Sequence, residues 1–334
     1  MIEPLSLALI ASALFVAWAM GANNSAGCVG TTVECGLSRK HALALFTVFL
    51  AAGVMIEGWK NMGTVGNGLI VGLLRNPAVD LSLIAITTLL VSGTIVAVST
   101  VLGVPMSMSH TMVGAVIGSG LAVSIMRPDA GIWTNTGLLA AVLISWALTP
   151  LLSAVLAFLL SRATGSLTAR IRDIAGVAKF LFLGLILTSA FTAYAFGAND
   201  LGASTGLFYA FFADRGLPWA ALAAGALGLV GAAAGAMMLS GRVMRTVQSG
   251  IIRLDPFTAF SAQLGTAAVV WFFVQLHLPV STTQAFVGGL VGTGMAKGMR
   301  AINSVKLRQI AKTWALAPIL SFSISLAVNL VVLS

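Results

Sequence analysis

The chain has 334 residues, of which 58% are hydrophobic and 8% charged, with a net charge of +9. Soluble domains run near 25% charged, so about two thirds of the polar surface needed to coat a water-soluble body is missing. A cytosolic enzyme, a nucleic-acid binder and a disordered protein are excluded; what remains is an all-α polytopic membrane protein whose basic excess is loop charge.

Ten apolar runs are expected. The first five fall at 5–37, 41–58, 81–102, 105–126 and 132–160, and the second five at 178–213, 218–240, 257–276, 279–296 and 313–333. The N-terminal Met-Ile-Glu-Pro lacks the basic region of a signal peptide, so the first run is expected to stay as a helix. Cys28 and Cys35 lie on one face of that helix, too far apart along it to bridge. Glu57 stands three residues before Lys60, the spacing of a helical ion pair at a span end. His41 and His277, at span ends, read as structural. Trp59, Trp133, Trp219 and Trp314 near span ends read as interface anchors.

The charge of the loops orients the chain. If every run crosses, fourteen of the eighteen Lys and Arg residues fall on one side. The loops 161–177 and 297–312 are then cytoplasmic, and both termini lie outside. If the first, fourth, sixth and ninth runs are re-entrant, the split is twelve to six. In both arrangements each half crosses an odd number of times, so two similar halves must be inverted relative to each other.

The halves are similar. Gly-Ala-Asn-Asn at 21–24 returns as Gly-Ala-Asn-Asp at 197–200, 176 residues later. Residues 64–70 are echoed by Thr246 through Ile252. Residues 105–120, PMSMSHTMVGAVIGSG, return 174 residues later at 279–294 as PVSTTQAFVGGLVGTG. Three echoes in one order at nearly one offset define two repeats, 1–165 and 166–334, which together form one transport unit with broken or re-entrant helices.

The paired motifs carry the chemistry. Amides and glycines interrupting an apolar run are expected to unwind the helix, which is tolerated only inside protein or beside water. Their carbonyl and amide oxygens suit a small cation, and freed N–H groups suit an anion. Asp200 adds a fixed negative charge, and an aspartate deep in an apolar run is functional by default. Asn23, Asn24, Asn199 and Asp200 are the leading site residues, with Asn23, Asn199 and Asp200 assigned to the cation. The alternative is that small polar residues merely let helices pack closely. Proline followed by hydroxyls reads as a helix start whose hydroxyls and dipole cradle an oxyanion. Ser107, Ser109, His110, Ser281, Thr282, Thr283 and Gln284 are the candidate anion contacts; ordinary N-capping is the competing explanation. His110 can donate to an anion or carry a proton, whereas Gln284 can only donate. No Lys or Arg falls mid-span, so an entering anion needs a cation travelling with it. That points to symport with sodium or protons. There is no HExxH, Walker A or GxSxG motif and no metal-ligand cluster, so neither catalysis nor a bound cofactor is expected.

Tandem Gly-Ala-Asn-Asp motifs, each paired with a Pro-x-Ser-Thr-Thr-His-like motif, resemble the inorganic phosphate transporter family over nearly the whole chain. The resemblance implies cation-coupled uptake of inorganic phosphate across the cell membrane, with contacts at Asn23, Asn24, Asn199, Asp200, Ser107, Ser109, Ser281, Thr282 and Thr283. The expected partners are phosphate, sodium or a proton, membrane lipid and, for assembly, a second copy in a homodimer. Four positions depart from the family pattern. Gly27 and Ala203 stand where it has a second asparagine, Asn24 where it has aspartate, and Gln284 where it has histidine. Loss of one carboxylate favours an anion without a proton, so the sulfate permease branch is the alternative to phosphate. An ion channel or membrane scaffold would be expected to lack two inverted broken segments.

Overall fold

The computed structural model describes residues 4–72, 80–248, 255–298 and 302–334. Eleven α-helices fill it. In the first half they are α1 (Pro4–Glu34), α2 (Arg39–Gly63), α3 (Leu81–Val101), α4 (Met108–Met126) and α5 (Thr136–Thr168). In the second they are α6 (Ile174–Phe196), α7 (Gly202–Asp214), α8 (Ala220–Gln248), α9 (Pro256–Gln275), α10 (Thr282–Lys297) and α11 (Ser304–Leu333). A π-helical turn, Gly197–Leu201, joins α6 to α7, and another, Thr64–Gly68, extends α2. A two-residue antiparallel ribbon pairs Ile70 with Thr134 and Val71 with Trp133, tying the end of α2 to the start of α5. Among the described residues nine helical stretches, with α6 and α7 counted as one, are long and apolar enough to cross a membrane. The protein is a multi-pass membrane protein. The ten apolar runs each contain a helix; α10, at 16 residues, is the one too short to count as a span.

Expectation and structure part at the motif in α1. The helix runs unbroken through Gly21–Gly27, and the second copy is widened into the π-helical turn rather than unwound. Buried backbone groups keep their partners this way. The glycines serve close approach instead. Gly21 meets the backbone of Ala232 in α8, and Gly197 meets the backbone of Leu50 in α2, so a Cβ at either place would collide with main chain.

The breaks lie elsewhere. α3 and α4 form a hairpin: Ser92 faces Met112, and Thr88 bonds Ser119 at 2.6 Å, so the helices run antiparallel. α9 and α10 do the same, with Thr266 donating to the Ala285 carbonyl and Gly289 against Ala262. The open end of this second hairpin is closed by the Lys297–Asp255 ion pair. Both tips, 102–107 and 276–281, lack Lys and Arg. Helices that turn back at these tips therefore give the same fourteen-to-four charge division as full crossings.

The hairpins are exchanged between the halves. α4 packs on α11, where Gly114 lies against Pro318 and Gly118 against Phe322. α10 packs on α5, where Gly288 lies against Pro150 and Gly292 against Ala154. Each glycine removes the Cβ that would hold the helices apart.

Three smaller expectations have visible outcomes. Glu57 and Lys60 pair at 3.0 Å, joined by Gln275 and Trp271 of α9. Trp59, Trp133 and Trp219 are exposed, in keeping with an interfacial place. Trp314 is a correction: it is only partly exposed, with its indole N–H buried and its carbonyl turned to His110. Pro318 frees that carbonyl, having no N–H to give it, and the indole ring itself packs against the core. Of the echo at Thr246–Ile252, positions 249–252 lie outside the described residues, as do 299–301 of the loop 297–312.

Candidate functional site

The two hairpin tips meet between the two Gly-Ala-Asn motifs, and each motif's first asparagine grips a tip. Asn23 donates through Nδ2 to Thr100 Oγ1 at 2.9 Å and to the Val104 carbonyl at 3.0 Å, and accepts from the Met106 N–H at 2.8 Å. Asn199 donates to the Val280 carbonyl at 2.7 Å and accepts from the Val280 N–H at 3.0 Å. An amide can satisfy both sexes of backbone group at once, which suits it to holding an irregular turn inside an apolar body. Both asparagines are thus engaged with backbone.

Asp200, fully buried, lies at the centre. Its Oδ2 accepts from Thr282 Oγ1 at 2.5 Å and from Asn24 Nδ2 at 3.0 Å. Its Oδ1 accepts from Asn199 Nδ2 at 3.0 Å, and Ser109 Oγ lies 3.2 Å away. The Ser109 hydroxyl also lies 2.7 Å from the Val280 carbonyl, and its single hydrogen can serve one of the two. All four neighbours are neutral, and among the described residues no Lys or Arg reaches the carboxylate. Asn24 Oδ1 is buried without a hydrogen-bond partner beside it. The carboxylate therefore has donors but no counter-charge, and an amide oxygen stands ready next to it.

The other candidates divide. Ser107 caps α4 by accepting from the His110 N–H, and Ser281 caps α10 by accepting from the Gln284 N–H. Thr283 donates to the Met106 carbonyl, across to the other tip, at 3.2 Å. His110 Nδ1 lies 3.2 Å from the Trp314 carbonyl that Pro318 leaves without a helical donor. That contact makes Nδ1 the protonated nitrogen; the ring stacks on Trp146 at 3.8 Å, and Nε2 has no partner. Gln284 lies beside His110, its Oε1 likewise unpartnered. A small cavity of about 20 Å³ opens beside these groups, lined by Asn23, Asn24, Gly27, Thr282, Thr283 and the rings of Phe196 and Phe286. It has room for about one water-sized species. The Phe286 ring covers Gly27, so it occupies the direction a side chain there would take.

Of three buried amides missed in the sequence, Asn61, Gln263 and Asn329, the first two bond to the motif segments. Asn61 of α2 donates to Asn199 Oδ1 at 3.0 Å, and Gln263 of α9 reaches the Cys28 carbonyl. A lone amide in an apolar run is the signal both gave.

This is the architecture of a membrane transporter: paired hairpins with a charged centre where their tips meet. The chain matches the phosphate transporter family over residues 20–182 and 168–325, and it belongs to that family. Proteins of Haemophilus influenzae and Methanocaldococcus jannaschii, both named "Putative phosphate permease", are 26% and 28% identical to it. The alignments cover 90% of both chains in the first case and 97% of both in the second. The Arabidopsis thaliana protein named inorganic phosphate transporter 2-1, chloroplastic, is 25% identical over 93% of this chain and 69% of its own length. A solved structure titled "The sodium-dependent phosphate transporter" has the same fold, with a TM-score of 0.86, 21% identity and 99% of each chain covered.

Proposed function

We propose that the chain carries inorganic phosphate across the cell membrane together with a cation, sodium being the favoured ion. The observation that carries this reading is Asp200: a fully buried carboxylate with neutral donors and, among the described residues, no basic partner. A buried charge without a counter-ion is costly, and a cation arriving with the substrate supplies one. Hard oxygen ligands suit sodium, and Asp200 with Asn24 Oδ1 offers two. The anion's contacts are the hydroxyls and amides around the tips, namely Ser109, Thr282, Thr283 and Asn24, with His110 and Gln284 behind them. Ser107 and Ser281 accept through oxygen in their caps, so each O–H can still donate to the anion. Since the small cavity holds about one water, an oxyanion enters after the tips separate. The repeats 1–165 and 166–334 then act as inverted halves around the site.

Sulfate is the second reading, favoured by the replacement of one family carboxylate by Asn24. A dianion without a proton is repelled less by one carboxylate than by two. Uptake of labelled phosphate and of labelled sulfate into proteoliposomes, with sodium and pH gradients imposed separately, tests both anion and cation. Uptake indifferent to both gradients sinks the symport reading. The orientation has both termini outside. Cysteine introduced at Ser166 or Asn303 should need a membrane-permeant reagent for labelling in cells; ready labelling by an impermeant one reverses it.

A further inference from the structure

The α9–α10 hairpin carries a second polar feature at the end away from Asp200. A cavity of about 300 Å³ opens between the last turns of α5, the first turn of α9 and the end of α10. Ser161, Arg162, Ser166, Phe257 and Lys297 line it. Ser161 is 98% buried, and its hydroxyl has no hydrogen-bond partner. Ser25, Ser189 and Ser261 are also buried without a partner, so what sets Ser161 apart is its place in the cavity wall. Lys297 is paired with Asp255. Burial pushes the Asp255 carboxyl up, but Lys297 and Thr258 outweigh it and hold the group below its ordinary range. Arg162 has no carboxylate within ion-pair reach among the described residues. The lining therefore holds two cations, of which one is paired with Asp255.

The other half shows what closing this place looks like. Pro150 of α5 and Pro318 of α11 meet equivalent glycines, and the same 168-residue offset sets Asn329 against Ser161. Asn329 is fully buried and satisfied: it donates to Ser119 Oγ at 3.0 Å and to the Ser325 carbonyl at 2.8 Å, and accepts from Thr87 at 2.7 Å. At the α3–α4 hairpin the protein fills its own polar need. At the α9–α10 hairpin a hydroxyl and a guanidinium are left over around an open space.

We propose that this cavity is a binding site for a phosphate group, held by the Arg162 guanidinium and the Ser161 and Ser166 hydroxyls, with the Lys297 ammonium at its rim. The chemistry fits. A guanidinium presents two parallel N–H donors to two phosphate oxygens, and hydroxyls complete the set. The group has two sources, an inorganic phosphate ion or the phosphodiester of an anionic lipid, for which Phe257 offers an apolar wall. Either ligand bridges α5 to the open end of the hairpin. α10 is a rod of 16 residues, about 24 Å long, with Thr282 at its other end on Asp200. Pinning its base against α5 thus restrains the tip that closes over the central site.

The test uses the full chain in nanodiscs of neutral phosphatidylcholine. Thermal unfolding is followed in one arm against added inorganic phosphate, and in the other against phosphatidylglycerol mixed into the bilayer. Wild type should gain stability in at least one arm. Arg162→Gln should weaken the apparent affinity about ten- to a hundredfold, and Ser161→Ala by less. Phosphate bound near Asp200 stabilises wild type and variant alike, so the difference between them reports on this cavity. As a second measurement, a Ser166→Cys change in a Cys35→Ser background should be labelled more slowly when the effective ligand is present. An effect confined to the phosphate arm assigns an ion site, and one confined to the lipid arm a headgroup site. Equal shifts in wild type and Arg162→Gln in both arms, with no protection at position 166, would overturn the proposal.

Discussion

The two motif regions share a scaffold and differ in chemistry. Asn23 and Asn199 each bracket a hairpin tip through both ends of an amide. One position later the symmetry fails. Asp200 gathers donors from α1 and α10 and has the Ser109 hydroxyl of α4 beside it, whereas Asn24 gives a hydrogen to it and keeps an unpartnered oxygen. His110 and Gln284 also differ, with a ring that bonds the Trp314 carbonyl in one half and an amide in the other, although each keeps one unpartnered atom. Scaffold symmetry follows from packing that both halves need. Chemical asymmetry concentrates the fixed charge at one point.

The largest test of that difference compares Asp200→Asn with Asn24→Ala. Asp200→Asn sets an N–H against groups that already donate and removes the charge. Uptake should fall by more than about a hundredfold, on the scale of two lost charged hydrogen bonds. Asn24→Ala loses one donor and should cost about tenfold. Equal losses in a proteoliposome assay would mean that charge is not what separates the two regions. Asn24→Asp goes the other way, by restoring symmetry. Asn24 Nδ2 lies 3.0 Å from Asp200 Oδ2, and two carboxylates that close do not stay ionised together without help. The pair should need a shared proton or an added cation, so uptake should become steeper in sodium or more dependent on pH. An unchanged cation dependence sinks the idea.

Scaffold symmetry predicts matched damage. Gly114→Ala and Gly288→Ala each drive a methyl into the backbone of an opposing proline, Pro318 or Pro150. Each should destabilise by about 1–3 kcal/mol, read as a fall in Tm. A large drop from one and none from the other would break the equivalence of the two packings. The smallest effect concerns the tips. Gly103 (φ 69°) and His277 (φ 60°) hold the same left-handed turn 174 residues apart. A residue with a Cβ pays about 1–2 kcal/mol there. His277 offsets part of this through its edge contact with Trp59, at 5.3 Å between ring centroids. Gly103→Ala should therefore lower Tm by a few degrees, while His277→Gly should shift it little. A large loss from His277→Gly would give the ring contact more weight than the turn.

The sequence made much of this legible. Apolar runs located the helices, because a helix in lipid needs an unbroken hydrophobic stretch. The two motifs showed themselves by repetition, and Asp200 by being an acid in an apolar run. What stayed hidden depends on neighbours that no local pattern names. Gly21 looked like a helix breaker, yet it is the place where Ala232 comes close. Ser107 and Ser281 read first as anion ligands, with capping as the competing role, and only the bonds from His110 and Gln284 show that they cap. Asn61 was passed over because its meaning lies in Asn199, 138 residues away.

The exchanged hairpins also bear on how the molecule is made. α4 emerges from the ribosome long before α11, the helix it packs against. The 177 residues between Met126 and Ser304 take about 10–35 s to synthesise. During that interval Gly114 and Gly118 present a groove with nothing in it. The first half cannot finish packing when its own translation ends. The last helix completes it, so a chain that stops before α11 leaves the first hairpin as unsupported as the second half is incomplete.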